Sequence, residues 1–192
     1  MCGGRGTRLD ADVEKPLFEV GGRPMVDRVR DALAESRVDA THAVVSPHAP
    51  ATHEHVAGRL PVVETPGDGY VDDLLVALEH VDQPALTVAA DLPLLDGRVV
   101  DGVLDAADGS TSVRVPAALK RLLGASTDET GDWVPTGVNV VASDDDAVYR
   151  TYDARLAVNV NHRSDAELAE RLLAARTAGR NSAGRQEGDD GP

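Results

Sequence analysis

The sequence predicts a three-layer α/β/α sandwich built on a mostly parallel sheet. Three observations lead there. Through residues 24–107, short apolar runs alternate with helical patterns, the repetition of a strand–helix–strand fold. One of the runs, PALTVAAD at 84–91, is apolar on both faces, as a central parallel strand requires. The segments between the runs carry apolar residues at helical spacing.

In chain order, PMVDRVRDALAES (24–36) sets Met25, Val26, Val29 and Leu33 on one helical face, and THAVVS (41–46) follows as a strand. LPVVET (60–65) is a second strand, and GYVDDLLVALEHV (69–81) is a helix carried by Val71, Leu74, Leu75 and Leu78. After the strand at 84–91, DGRVVDGVLDAA (96–107) repeats the helical pattern with Val99, Val100, Val103 and Leu104. STSVRVP (110–116) and WVPTGVNVVA (133–142) read as strands separated by a loop-rich insertion, GASTDETGD (124–132). RLAVNVN (155–161) reads as a final strand. SDAELAERLLAAR (164–176) is a helix opened by a capping box, Ser164 with Glu167. The residues after it, AGRNSAGRQEGDDGP, hold no apolar anchor, so one domain over 1–176 and a disordered tail over 177–192 are expected.

Composition narrows the function classes. Hydrophobic residues make up 42% of the 192, enough for a sizeable core, but aromatics are only 3%, so that core must consist of Val, Leu and Ala. The formal charge of −14 repels nucleic acid and anionic membrane. Such an acid excess suits a halophilic source, where salt screens self-repulsion. Cys2 is the single cysteine, which excludes a disulfide framework or a cysteine-based zinc site within one chain. No apolar run approaches the ~20 residues of a membrane span, and a cytoplasmic location is expected.

The chemistry-bearing residues gather at strand ends. In GGRGTR, Gly3, Gly4 and Gly6 let backbone N–H groups converge on an anion, and Arg8 and Lys15 can neutralise a polyphosphate. The loop matches neither GxxxxGK[ST] nor GxGxxG. Pro16 fixes the backbone just after Lys15, which a floppy terminus does not need. Asp91 follows the apolar strand, at the carboxyl end where parallel sheets bind ligands, and can hold a divalent cation against phosphate oxygens. Asn159 and Asn161 point the same way and offer two amides. Gly137 begins an apolar strand, where a ligand can come close, and Gly67 and Gly69 stand at a strand–helix junction. The residues alone also allow plainer roles: a turn aspartate at Asp91, side-chain caps at Asn159 and Asn161, a bulge at Gly137. The histidines, including His53 and His55 on a helical stretch, show no ligand pattern, and the acidic triple at 144–146 reads as a solvated turn.

GGRGTRL (3–9) with EKPL (14–17) resembles the signature of MobA-like and sugar-nucleotide nucleotidyltransferases. SPHAP (46–50), TPGDGYVDDL (65–74), AADLPLL (89–95), VPTGVNVV (134–141) and VNVNHRSDAELAERLL (158–173) extend the likeness to the CobY family, the archaeal adenosylcobinamide-phosphate guanylyltransferases. The resemblance runs from residue 1 to about 175. It implies a Rossmann-like, nucleotide-diphospho-sugar-transferase-like fold and transfer of GMP from GTP to a corrinoid phosphate, with Mg²⁺ as cofactor. It implies that Gly3, Gly4, Arg5, Gly6 and Thr7 wrap the triphosphate while Arg8 and Lys15 act catalytically. Gly67, Gly69 and Tyr70 would read base or ribose. Asp91 would bind metal or ribose, Gly137 and Asn159 would lie near the nucleotide, and Asn161 would be a further metal ligand. A homodimer is compatible with all of this. Molybdenum-cofactor guanylyltransferases share the opening loop, and a GTP-binding module without catalysis is the alternative from another class. Family members carry apolar residues ahead of the glycines, so the native chain is expected to continue upstream of Met1.

Overall fold

A computed structural model of the chain describes residues 1–2, 9, 11–142 and 146–186, with side chains described as far as residue 178. Its elements are α1 (Met25–Ala34), β1 (Ala43–Val45), α2 (Pro50–Val56), β2 (Val62–Glu64), α3 (Tyr70–Leu78), β3 (Ala85–Val88), α4 (Gly97–Ala106), β4 (Ser110–Pro116), α5 (Ala117–Leu123), β5 (Trp133–Val141), β6 (Asp146–Arg150) and α6 (Arg163–Gln186). Lys15–Leu17 and Ala154–Leu156 are single 3₁₀ turns.

The strands form a four-stranded sheet, β3–β5–β4–β6, and a pair, β1–β2. Met1 and Cys2 join them. The Met1 ammonium donates to Val88 O at 2.9 Å, Met1 O accepts from Ala90 N at 3.2 Å, and Cys2 N donates to Val44 O at 2.9 Å. These two residues therefore fill the gap between β1 and β3. Among the described pairings, β1–β2, β4–β6 and Met1 with β3 run parallel, while β5 runs counter to both neighbours, β3 and β4.

Alternation along β1 puts helices on both faces of this layer. Ala43 and Val45 pack with Val26 of α1 and Val56 of α2, and Val44 packs on the opposite side with Ala77 of α3. The largest core cluster joins Val29 of α1, Val99, Val100 and Val103 of α4, and Val113, Val115, Val134, Val138 and Val140 of β4 and β5. Each such side chain contributes about 1.5–3 kcal/mol on burial. As the composition requires, the core is almost entirely aliphatic.

Several elements differ from the sequence expectation. Residues 155–161 are not a strand. Leu156, Ala157, Val158 and Val160 are fully buried, so the run is apolar because it fills space under the sheet and α6, and Val160 N bonds Asp91 O at 3.0 Å in place of a ladder. The capping box at Ser164 does not form, because α6 already begins at Arg163; Asp165 instead accepts from the amides of Asn161 and His162 at 3.0 and 2.9 Å. That helix runs past Thr177 to Gln186, into the stretch expected to be a disordered tail. Asp146 of the acidic triple opens β6, an edge strand whose Val148 is half exposed and which therefore gives no apolar run; residues 144 and 145 lie outside the described residues. His53 faces Glu64 and His55 faces Asp27, consistent with separate surface roles.

Candidate active site

The turn that carries Lys15 is pinned from both sides. Glu14 accepts from Ala51 N at 2.9 Å and Thr52 N at 2.7 Å, holding the first turn of α2. Burial pushes the Glu14 carboxyl up, but its bonds with Thr52 and Ala51 outweigh that and hold it below its ordinary value. Pro16 is buried and fixes the backbone as the 3₁₀ turn begins. With its neighbours held, Lys15 reaches across to Asp91, 76 positions away in the sequence.

Lys15 Nζ lies 2.6 Å from Asp91 Oδ2 and donates to Asn161 Oδ1 at 2.8 Å. Asn159 donates from Nδ2 to Asp91 Oδ1 at 3.1 Å and to Thr136 O at 2.9 Å. Asp91, Asn159 and Asn161, separate in the sequence, thus share one constellation with Lys15. Lys120 joins it from α5, donating to Asn159 Oδ1 at 3.0 Å. Burial pulls the Lys120 ammonium below its ordinary value, against the pull of Asp91, Asp165 and Glu129. Beneath Asn161, the fully buried Asp165 takes four donors, the amides of Asn161, His162 and Ser126 and the Ser126 hydroxyl. Burial raises its carboxyl, yet those bonds together hold it below the ordinary carboxylate value.

Sequence reasoning passed over Lys120, Thr136 and Asp165 as site residues. A signal for Lys120 exists: in ALKRLL it stands three residues after Ala117, on the face that α5 buries. A lysine on a buried helical face needs a polar partner.

A cavity of about 300 Å³ opens over this cluster, lined among others by Lys15, Asp91, His48, Asp73, Gly67 and Tyr70. Gly69 lines it too, directly before α3, and Tyr70 is half exposed. Gly67 has φ +79°, and a Cβ there would meet Ser46 and His48 side-chain atoms at 3.1 Å. Asp73 locks this turn by accepting from Gly67 N at 2.8 Å. Gly137 has φ +82°, and a Cβ would stand 2.9 Å from that of Ala89 and 3.5 Å from Asn159 Nδ2, so this glycine makes room for the protein's own constellation. Gly3, Gly4, Arg5, Gly6, Thr7 and Arg8 lie outside the described residues. Among the described residues, no three His, Cys, Asp or Glu side chains gather as a metal site.

A family model described as the MobA-like NTP transferase domain matches residues 1–183. The chain belongs to the MobA-like NTP transferases. This transferase is 30% identical over 190 residues to the adenosylcobinamide-phosphate guanylyltransferase of Methanocaldococcus jannaschii, covering 90% of this chain and 95% of the relative. A nucleotidyl transferase structure from Methanothermobacter matches its fold with a TM-score of 0.65 at 19% identity, over 90% of this chain and 94% of the other. CMP:2-keto-3-deoxy-manno-octonic acid synthetase, solved with CTP, matches with a TM-score of 0.65 at 12% identity, over 88% and 95%. The transferase thus has the nucleotide-diphospho-sugar transferase fold and is a nucleotidyltransferase. Among the described residues, no helix is long and apolar enough to cross a membrane.

Proposed function

We propose that this chain transfers GMP from GTP to adenosylcobinamide phosphate, giving adenosylcobinamide-GDP and pyrophosphate in cobalamin assembly. The observation that carries the proposal is the end-to-end likeness to the Methanocaldococcus guanylyltransferase, 90% of one chain against 95% of the other. The cavity over Lys15 and Asp91 supports it.

The acceptor phosphate oxygen attacks the α-phosphorus of GTP; the new P–O bond forms as the bond to the β-phosphate oxygen breaks, and that electron pair leaves with pyrophosphate. The acceptor is already ionised near pH 7, so no general base is required. The chain's part is positioning and charge compensation. Gly3, Gly4, Arg5, Gly6 and Thr7 wrap the triphosphate. Arg8 and the Lys15 ammonium offset charge on the α-phosphate and on the leaving group. Gly67, Gly69 and Tyr70 border the base and ribose, while Gly137 and Asn159 lie near the nucleotide.

The divalent metal fits the donor set. Asp91 Oδ2 and Asn161 Oδ1 converge on one cation, the Lys15 ammonium, at 2.6 and 2.8 Å. Both are hard oxygen donors, suited to Mg²⁺ bound through one or two protein groups with phosphate and water completing the shell. Asp91 and Asn161 would hold it, and when bound it supplies charge neutralisation at the phosphate oxygens. Asn159 turns its Nδ2 toward Asp91 and its Oδ1 toward Lys120, which suits orientation of Asp91 better than ligation.

A cytoplasmic, halophilic setting completes the reading: at net charge −14, added salt screens the surrounding acid charge from two anionic substrates, so turnover rises with salt. The test is incubation with labelled GTP and adenosylcobinamide phosphate. Label in adenosylcobinamide-GDP, with pyrophosphate released, is the expected result. Turnover only with the pyranopterin acceptor of molybdenum cofactor would overturn it in favour of that guanylyltransferase, and GTP binding without pyrophosphate release in favour of a binding module.

A further inference from the structure

Lys120 is a buried cation that the chemistry above leaves unused. It keeps 4% of its surface exposed, in a short helix otherwise made of Ala, Leu and one arginine. An ammonium in such a place is costly unless it is paired. Its bond is made to an amide, Asn159 Oδ1 at 3.0 Å, with the carboxylates of Asp91, Asp165 and Glu129 attracting it electrostatically. That pairing is what a buried ammonium requires, and it ties α5 to the residues that surround Asp91.

The bond has a directional consequence. A side-chain amide can present either its oxygen or its nitrogen to a neighbour. Lys120 has only protons to offer, so Asn159 must turn Oδ1 toward it. That leaves Nδ2 on the other side, where it donates to Asp91 Oδ1 at 3.1 Å and to Thr136 O at 2.9 Å. Asp91 Oδ1 is thereby occupied, and Oδ2 is the oxygen directed at the Lys15 ammonium, which also donates to Asn161 Oδ1. We infer that Lys120 is a positioning residue of the nucleotidyl-transfer site: by fixing the amide of Asn159, it selects which oxygen of Asp91 faces the cavity. The inference rests on the proposed reaction for its kinetic consequence, but its geometry can be read without turnover.

Lys120→Met preserves length and apolar bulk and removes the donor; Lys120→Gln restores a neutral donor. For Lys120→Met, kcat for pyrophosphate release falls about 10–100-fold, the range typical of partners that orient a ligating group, while KM for GTP stays within about twofold. Lys120→Gln recovers part of the loss. In an Asn159→Ala background, Lys120→Met costs much less than in the wild type, because its hydrogen-bonded route to Asp91 is already cut. In the ligand-free protein, the Asn159 side-chain NH₂ signals in a ¹⁵N–¹H spectrum move and exchange faster with solvent in Lys120→Met. Full additivity of the two losses, or unchanged Asn159 signals, overturns the positioning role. Shifted Asn159 signals in a protein whose wild type turns over neither acceptor would leave the positioning geometry standing and sink the reaction instead. Should Lys120→Met not fold, Lys120→Leu carries the same cycle and the same spectra.

Discussion

Asp91 and Asp96 stand five residues apart in the segment that leaves β3, yet the fold holds them in opposite ways. Burial does not separate them: their side chains are 16% and 20% exposed. Their partners do. Asp96 caps α4 through Val99 N at 3.1 Å, takes both oxygens to the Arg155 guanidinium at 3.0 and 2.8 Å, and receives Arg176 at 2.6 Å. Arg155 is itself gripped by Asp153, whose hydrogen bond is the largest influence raising the guanidinium above its ordinary value. Among the described residues, Asp91 is hydrogen-bonded by one ammonium on a flexible stem and one side-chain amide. The Arg155 guanidinium is fixed by Nε and Nη2 on Asp153 while Nη1 spans both Asp96 oxygens, whereas an ammonium is a point charge that can turn to another anion. Asp96 closes a structural lock. Asp91 keeps a cation in reserve beside a cavity that Lys15 also lines.

That contrast is tested hardest at Asp91. Asp91→Asn retains the volume and an acceptor for Asn159 but removes the charge that faces Lys15 and the metal. Turnover should fall about 100–1000-fold, the loss seen when one preorganised electrostatic partner is removed. The thermal midpoint should move by no more than about 4 °C, the equivalent of about 1 kcal/mol in a chain of this length. A variant that melts early and keeps its turnover would exchange the roles of the two aspartates.

Asp96→Ala should do the reverse, leaving turnover intact. Loss of the cap costs about 1 kcal/mol and each ion pair up to about 1 kcal/mol, so a drop of roughly 2–3 kcal/mol is expected by chemical denaturation. The charge contribution is isolated by Asp96→Asn, which caps equally well. Burial pushes the Asp96 carboxyl up, but Val99 N–H, Arg155 and Arg176 outweigh it and hold the group below its ordinary value. A carboxyl lowered in the folded state binds fewer protons there than in the unfolded chain. Its stabilisation is therefore complete above the unfolded value of about 3.9 and fades as the pH falls through the lower folded value. The stability gap between wild type and Asp96→Asn should be flat from pH 5 to 7 and close below about pH 4. A gap that widens on acidification would show that charge is not what Asp96 contributes.

The same contrast marks what was legible in the sequence. The layered fold could be read because its evidence is periodic: Val99, Val100 and Val103 repeat at helical spacing, and β4 alternates buried and half-buried residues along its length. Asp91 and Lys15 could be singled out because each sits beside a proline or a strand end, where polar residues need a reason; Asn159 and Asn161 stand out as polar residues in an apolar run, although that run is not a strand. Asp165 could not, and Lys120 only as a lysine on a buried helical face, with its partner unseen. Each lies within a helix, and what gives it meaning is a partner 39 positions away. The apolar run at 155–161 misled for a related reason: hydrophobicity reports burial, and a segment packed under a sheet is as buried as a strand within it. Edge strand β6 shows the converse, pairing in register with β4 while too exposed to leave a pattern.

The smallest expected effect lies at the outer end of the Asp96 lock. Arg176 projects from α6 to Asp96 and to Leu94 O at 3.1 Å, and its side chain is 39% exposed. Water competes for an ion pair this open, so Arg176→Ala should cost at most about 1 kcal/mol. Raising the salt concentration should shrink that difference, since screening weakens exposed pairs first. In an Asp96→Ala background the Arg176 substitution should cost less still, because only the bond to Leu94 O is left to lose. If Arg176→Ala instead proves as damaging as Asp96→Ala, and equally so at every salt concentration, α6 is held by that one side chain through its packing and the Leu94 bond, and the ion pair with Asp96 is incidental to it.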